Sequence, residues 1–285
     1  MNETNATAEP VESVVIDGMS ALEAIDRAQV DVQISTAKQY PRSIDRFQKE
    51  CLSWATIDAE TAGSMFYTLP RAGKRLEGPS VRLAEVVGAT WGNLRVEGDV
   101  VEIGERFLTA MGSCFDLERN VAVRTRVKRR ITDRQGNRFK DDMIQVASNA
   151  AISIAIRNAV FKVVPFAFVK GVYEAARKAS LGTGTMEEKR KNAFAWFKKA
   201  GVDQKAVLKA LDKRGLPDVD EDDLIQLRGL KTAIQEGTTT AQEAFSDASE
   251  QDTSEQASAL NQAISARQEQ EGTSVGAQAD KDPVE

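Results

Sequence analysis

From Val121 to Ile131 the chain reads VAVRTRVKRRI, alternating small or β-branched side chains with basic ones. A period of two marks a β-strand whose two faces meet different surroundings. Val121, Val123, Thr125 and Val127 share one face; Arg124, Arg126, Lys128 and Arg130 share the other, with Ala122 beginning that row. Pairing such a strand one residue out of register would drive its charges into the core, so the segment admits one orientation in a sheet. Alternate side chains on a strand stand roughly 6.6 Å apart, since each residue rises about 3.3 Å. Phosphates of a B-form strand advance about 3.4 Å along the axis. The row matches about every second phosphate and reads as the floor of a groove for a nucleic-acid backbone.

Composition narrows the chemistry. The chain has 285 residues and no histidine. That removes Ser-His and Cys-His nucleophilic pairs, imidazole acid–base groups and ordinary zinc sites. Cys51 and Cys114 fall in apolar patterns and read as small core residues. With only those two cysteines, a reducing cytoplasm is the expected compartment. No 18-residue apolar run and no charged-then-apolar leader occurs, so neither a membrane span nor a secretory signal is expected. Gly73-Lys74 invites comparison with a phosphate-binding loop, but Thr68 stands where its first glycine belongs and Arg75 where Ser or Thr is required. No cofactor is expected, and the chain does not read as an enzyme.

The net charge of −5 hides a polarised layout. Residues 1–35 carry a net −6, residues 36–180 a net +8, residues 181–245 none, and residues 246–285 a net −7. The region containing the alternating strand is the basic one, which favours a polyanion partner.

Taken in order, residues 1–35 read as an acidic, mostly disordered arm that becomes helical near Ser20 to Gln29. A helix is expected from Pro41, burying Ile44, Phe47, Cys51 and Trp54 at helical spacing. Asp58 caps a short second helix. Residues 69–80, LPRAGKRLEGPS, form a basic loop or short hairpin. Ser80 caps a helix ending near Gly92. Strands follow at Leu94–Ile103, Arg106–Phe115 and Val121–Ile131, then a short fourth around Arg138–Lys140, with DLERN making the second and third a hairpin. Asp141 or Asp142 caps a long, nearly all-apolar helix that ends at Pro165 and should lie buried across the sheet. A further helix covers Ala167–Ala179. Residues 181–185 read as a linker and 186–245 as a separate helical module. Asp220 opens its third helix, and Thr240 and Glu243 form a capping box. Residues 246–285 read as a disordered acidic tail. The expected fold is α+β: an antiparallel β-β-β(-β) sheet packed by a long apolar helix and flanking helices.

The candidate nucleic-acid contacts are Arg71, Lys74 and Arg75 in the basic loop, and Arg124, Arg126, Lys128 and Arg130 in the strand. Arg134, Arg138 and Lys140 follow in the turn, and Arg157 and Lys162 lie on the long helix. The strand charges are lined up, and Asp133 is their only acidic neighbour in that span, whereas a solubility surface mixes signs. Trp54, Trp91 and Trp196 fall on helix faces and read as core, and the basic face is expected to have no interleaved aromatic and no base-stacking role. Asp99, Glu102 and Glu105 beside Arg106 are the alternative: a metal-dependent nuclease. A passive single-strand coat is the third reading.

The order of basic loop, helix, three strands and a long helix ending AIRNAVFKVVP resembles the phage single-strand annealing proteins of the RecT/Redβ type. Phe161, Lys162 and Pro165 match that family's helix ending, and Arg157 stands one residue out of register with its arginine. The likeness covers roughly Phe66 to Lys178, about 40% of the chain. It implies ATP-independent annealing of complementary single-stranded DNA in phage recombination, on a homo-oligomeric ring or filament. It also implies that residues 186–245 contact an exonuclease or the host single-strand-binding protein.

Overall fold

A computed structural model describes residues 12–71, 74–133 and 135–245. The chain begins with α1 (Glu12–Gln39), α2 (Ile44–Ala55) and α3 (Ala59–Ser64). α1, with 28 residues, is far longer than the helix expected near Ser20 to Gln29. α2 starts three residues after Pro41, because Ser43 turns its hydroxyl back to accept the Arg46 amide. Phe47, Cys51 and Ala55 give α2 its buried stripe, whereas Trp54 is 48% exposed and is not core as expected. Asp58 caps α3, accepting the Glu60 and Thr61 amides at 2.8 Å each.

The basic loop is a hairpin of β1 (Phe66–Arg71) and β2 (Lys74–Pro79). Ser80 then caps α4 (Val81–Trp91) through the Leu83 amide at 3.2 Å. The main sheet is antiparallel and ordered as in sequence: β3 (Leu94–Ile103), β4 (Phe107–Asp116) and β5 (Val121–Arg130). Asp116 closes the β4–β5 turn by accepting the Glu118 and Arg119 amides, and Asn120 takes the left-handed conformation (φ 54°) that Asn tolerates well. No fourth strand forms. Asp133 caps a tight turn by binding the Asn137 amide and side chain, which leaves only an isolated bridge between Thr132 and Arg138.

α5 (Asp141–Val163) crosses one face of this sheet, and α6 (Phe166–Ala179) follows. Lys140, not an aspartate, is the residue before the first turn of α5; Asp141 and Asp142 lie within that turn, where they complement the helix dipole. The seat is made of small residues. Ala147, Ala151, Ala155 and Ala159 recur at helical spacing and are buried. A Cβ added to Gly112 of β4 would fall inside the backbone of Ala155 and Ile156, and one on Gly98 of β3 would lie 2.7–2.8 Å from Ile152 and Ile156. At this closest approach the Thr125 hydroxyl donates to the Ala155 carbonyl oxygen at 2.6 Å. Among the described residues α5 alone has the length and composition of a membrane span, but its buried alanine face is that of a core helix.

The far side of α5 is also covered. Arg157, turned roughly 200° round the helix from Ala155, lies over the Tyr67 ring of β1 at 4.8 Å. α7 (Met186–Lys199), α8 (Gln204–Ala210), α9 (Glu221–Gln235) and α10 (Ala241–Phe245) complete the described chain. Residues 186–244 are not the separate module expected, and no boundary falls at 181–185. α9 packs on β1 and α3 because Leu224, Ile225, Leu227, Leu230 and Ala233 leave it little solvent face, and Thr232 donates to the Gly63 carbonyl. Thr185, read as linker, instead forms a capping box with Glu188 at the start of α7. The tail expected at 246–285 and the first eleven residues lie outside the described residues.

Gly112→Ala should cost at least about 3 kcal/mol, since the obstacle is backbone on both sides. Chemical denaturation checks this, and Gly98→Ala, which meets movable isoleucine tips, should cost less.

Candidate nucleic-acid interface

The register of the sheet decides which side chains share a face. Phe107 stands opposite Arg130, Thr109 opposite Lys128, Met111 opposite Arg126 and Ser113 opposite Arg124. All of these point away from α5, because Leu108, Ala110, Gly112 and Cys114 take the buried alternate positions. Arg124, Arg126, Lys128 and Arg130 are exposed, and among the described residues none of them has an ion-pair partner. Their row spans about 20 Å along an edge strand.

Arg129, a fifth basic residue of β5, lies outside that row. Val127 and Arg129 lie on the α5 side, and Arg129 donates to the Gly237 carbonyl oxygen. Burial pulls its guanidinium below the usual arginine range, partly offset by Glu243. Parity alone separates it from Lys128 and Arg130: one step along the strand turns a solvent-facing residue into a structural one.

The open face also carries groups that reading one strand at a time misses. Phe107 lies under Lys128 and Arg130, with the cations 4.9 and 5.7 Å from its ring centroid. Phe115 lies opposite Ala122 and Arg95. The basic face therefore does have aromatic neighbours, on the adjacent strand. Their signal was the short DLERN link, which sets the register between β4 and β5. On the far edge, β3 presents Glu97, Asp99 and Glu102, all exposed, beside Ser113, Met111 and Thr109. Glu97 is paired with Arg95 at 2.6 Å, and Glu102 accepts from Thr109 at 3.5 Å. A β-bulge between Val100 and Glu102 brings Glu102 back onto this face. Two strand spacings, about 10 Å, separate the acidic row from the basic one. Acidic neighbours are scarce along β5 but not across the sheet.

The remaining candidates scatter. Arg138 is exposed and holds the β3–β4 turn through the Gly104 carbonyl at 2.6 Å. Lys140 is exposed at the start of α5, and Lys162 is exposed in its last turn, at the opposite end of the helix. Arg134 lies outside the described residues. Arg157 is half-buried behind the sheet, bonded to Asn158 and stacked on Tyr67. Its charge also draws down the Glu236 carboxyl, which burial nevertheless pushes up while it accepts the Val81 amide. In the hairpin Arg75 is exposed opposite Pro70, and Arg71 pairs with Lys74; the side chains of the latter two are not described. The hairpin meets α5 through Tyr67 and Arg157, on the side of the helix turned away from the sheet. Asp99, Glu102 and Glu105 do not assemble a metal centre: among the described residues no three acidic, histidine or cysteine side chains stand together as ligands.

Compared with known proteins, the chain matches no family model, no curated sequence and no solved structure.

Arg129→Leu should lower stability by about 1–3 kcal/mol through the unpaired Gly237 carbonyl, whereas Arg126→Leu should stay within about 0.5 kcal/mol. Urea denaturation of the two variants reads the difference.

Proposed function

We propose that this chain binds single-stranded DNA along β5 and promotes annealing of complementary strands without ATP. The observation that carries the reading is the row of four exposed cations at a strand's period, without an ion-pair partner or a covering helix among the described residues. Backbone phosphates are the ligand that such a row suits, and phosphate contacts carry no sequence preference. Pairing edges of the bases stay free, which annealing requires.

Four phosphate contacts per chain give only modest affinity. Several chains on one strand gain by effective concentration, so the reading includes a homo-oligomer, with residues 186–245 as the surface for an exonuclease or single-strand-binding partner. The setting proposed is recombination of phage DNA in a host cytoplasm.

Salt dependence tests the grip. With four contacts, the slope of log affinity against log salt for a single strand should be about −2.8, at roughly −0.7 per contact. Arg126→Ala with Lys128→Ala should bring it to about −1.4, equally on all sequences. An unchanged slope would mean that the row is a solvated face. Annealing is tested with complementary oligonucleotides in the absence of ATP. Faster pairing supports the proposal, slower pairing identifies a passive coat, and cleavage in Mg²⁺ that is lost in Glu102→Ala identifies a nuclease.

A further inference from the structure

We infer that the open sheet face is a base-stacking platform for one DNA strand, with Phe107 and Phe115 as its rings and the β3 carboxylates as a barrier to a second backbone. The inference rests on the phosphate grip proposed for β5 and adds what happens to the bases.

The geometry follows from the sheet. A phosphate held over β5 places its base toward β4, about 4.8 Å away. There the upward side chains are Phe107, Thr109, Met111, Ser113 and Phe115, all half-buried with one side open. Phe107 and Phe115 lie eight residues apart, about 26 Å, with Met111 midway. The platform runs two residues further than the cation row beside it, from Arg130 past Arg124 to Ala122. Stacking on a ring uses the flat face of a base, so it is tolerant of sequence and leaves the pairing edge exposed.

The two rings differ in their neighbours. Phe107 is covered by Lys128 and Arg130 in the free protein. Those cations exchange a ring for phosphates when DNA binds, which uncovers the ring at the moment a base arrives. Phe115 lies opposite Ala122, the one uncharged position in the row, so no β5 cation shields it.

β3 supplies the selectivity. A duplex set with one backbone on β5 brings its second backbone over β3, where Glu97, Asp99 and Glu102 repel it. A single strand has no second backbone, and its bases end before that edge. Face polarity thus separates single-stranded from double-stranded DNA by charge.

Fluorescence anisotropy of the full chain with three labelled ligands tests this: oligo-dT, an abasic deoxyribose-phosphate oligomer of equal length, and a duplex. The wild-type chain should bind dT at least about ten-fold more tightly than the abasic oligomer, as one or two stacked bases require. Phe107→Leu with Phe115→Leu keeps apolar bulk and should bring dT affinity down to the abasic level with no change of salt slope; the Phe→Tyr pair should keep the preference. Glu97→Gln, Asp99→Asn and Glu102→Gln together should raise duplex affinity about ten-fold or more and leave dT binding little changed. Equal wild-type affinity for dT and the abasic oligomer overturns the platform and leaves the phosphate grip standing. Failure to bind either overturns both, as would be seen if another protein chain occupied this face. A Leu pair that retains the dT preference places the stacking elsewhere and overturns the assignment of these rings. Unchanged duplex affinity in the amide variant removes the barrier.

Discussion

The contact on which the rest depends is backbone against backbone, where α5 crosses β4 at Gly112. No side chain fits between them, so the helix sits as close to the sheet as two main chains allow. Alanines at 147, 151, 155 and 159 extend that close approach along the helix, and Thr125 ties the helix to β5 by donating to the Ala155 carbonyl. A helix held this tightly seals one face of a three-stranded sheet with little bulk. It also commits the other face to whatever lies at the alternate positions of the strands, because the period of two leaves no third place to put a side chain. The open polar face is therefore a consequence of the seat as much as of its own residues.

A second tie fixes the base of the sheet. Arg42, in the link between α1 and α2, meets Asp116 with both terminal nitrogens and Glu118 with Nε at 3.0 Å, and it stacks over Trp91 at 4.9 Å. Asp116 at the same time closes the β4–β5 turn, and Asn93 bonds to Glu118 across the start of β3. One buried ion pair thus sets where all three strands begin or end. A buried pair of this kind is weak evidence for stability, but it is costly to break from one side. Here it fixes the register that lines β4 up with β5 and so sets which rings lie beside which cations.

Local patterns carried much of the architecture. β3 runs from Leu94 to Ile103 as its alternation indicates, β4 and β5 differ from expectation by a residue at their ends, and Asp58, Ser80, Asp220 and the Thr240–Glu243 pair cap helices as their spacing suggests. Each of those readings depends on residues within a few positions of one another. What escaped was set by distant partners. The place of α9 depends on β1, some 155 residues away, so Thr185 looked like a linker when it is a helix cap. The acidic row opposite β5 depends on pairing through β4 and on a bulge at Val100–Glu102, which a composition count along β5 cannot contain. Arg129 was in plain view within an alternating run, and its parity already placed it with Val127 rather than with Lys128.

That parity also explains how a chain with an overall charge of −5 presents a cationic surface at all. Electrostatic attraction at contact depends on charges within about a Debye length, close to 8 Å at physiological salt. Within that radius an anion over β5 meets only the nearest members of the row formed by Arg124, Arg126, Lys128 and Arg130, which stand about 6.6 Å apart, while Glu97, Asp99 and Glu102 stand about 10 Å off across β4. The net charge of the whole chain barely enters. What matters is the gradient across three strands, positive at one edge, uncharged in the middle and negative at the other. A ligand charged uniformly on all sides gains on one edge of such a face and loses on the other. A ligand with a charged side and a flat, uncharged side gains on both the cations and the rings, provided that it lies one way round. On the proposed reading the gradient would orient a single strand across the sheet, because a strand turned over would set its phosphates against carboxylates.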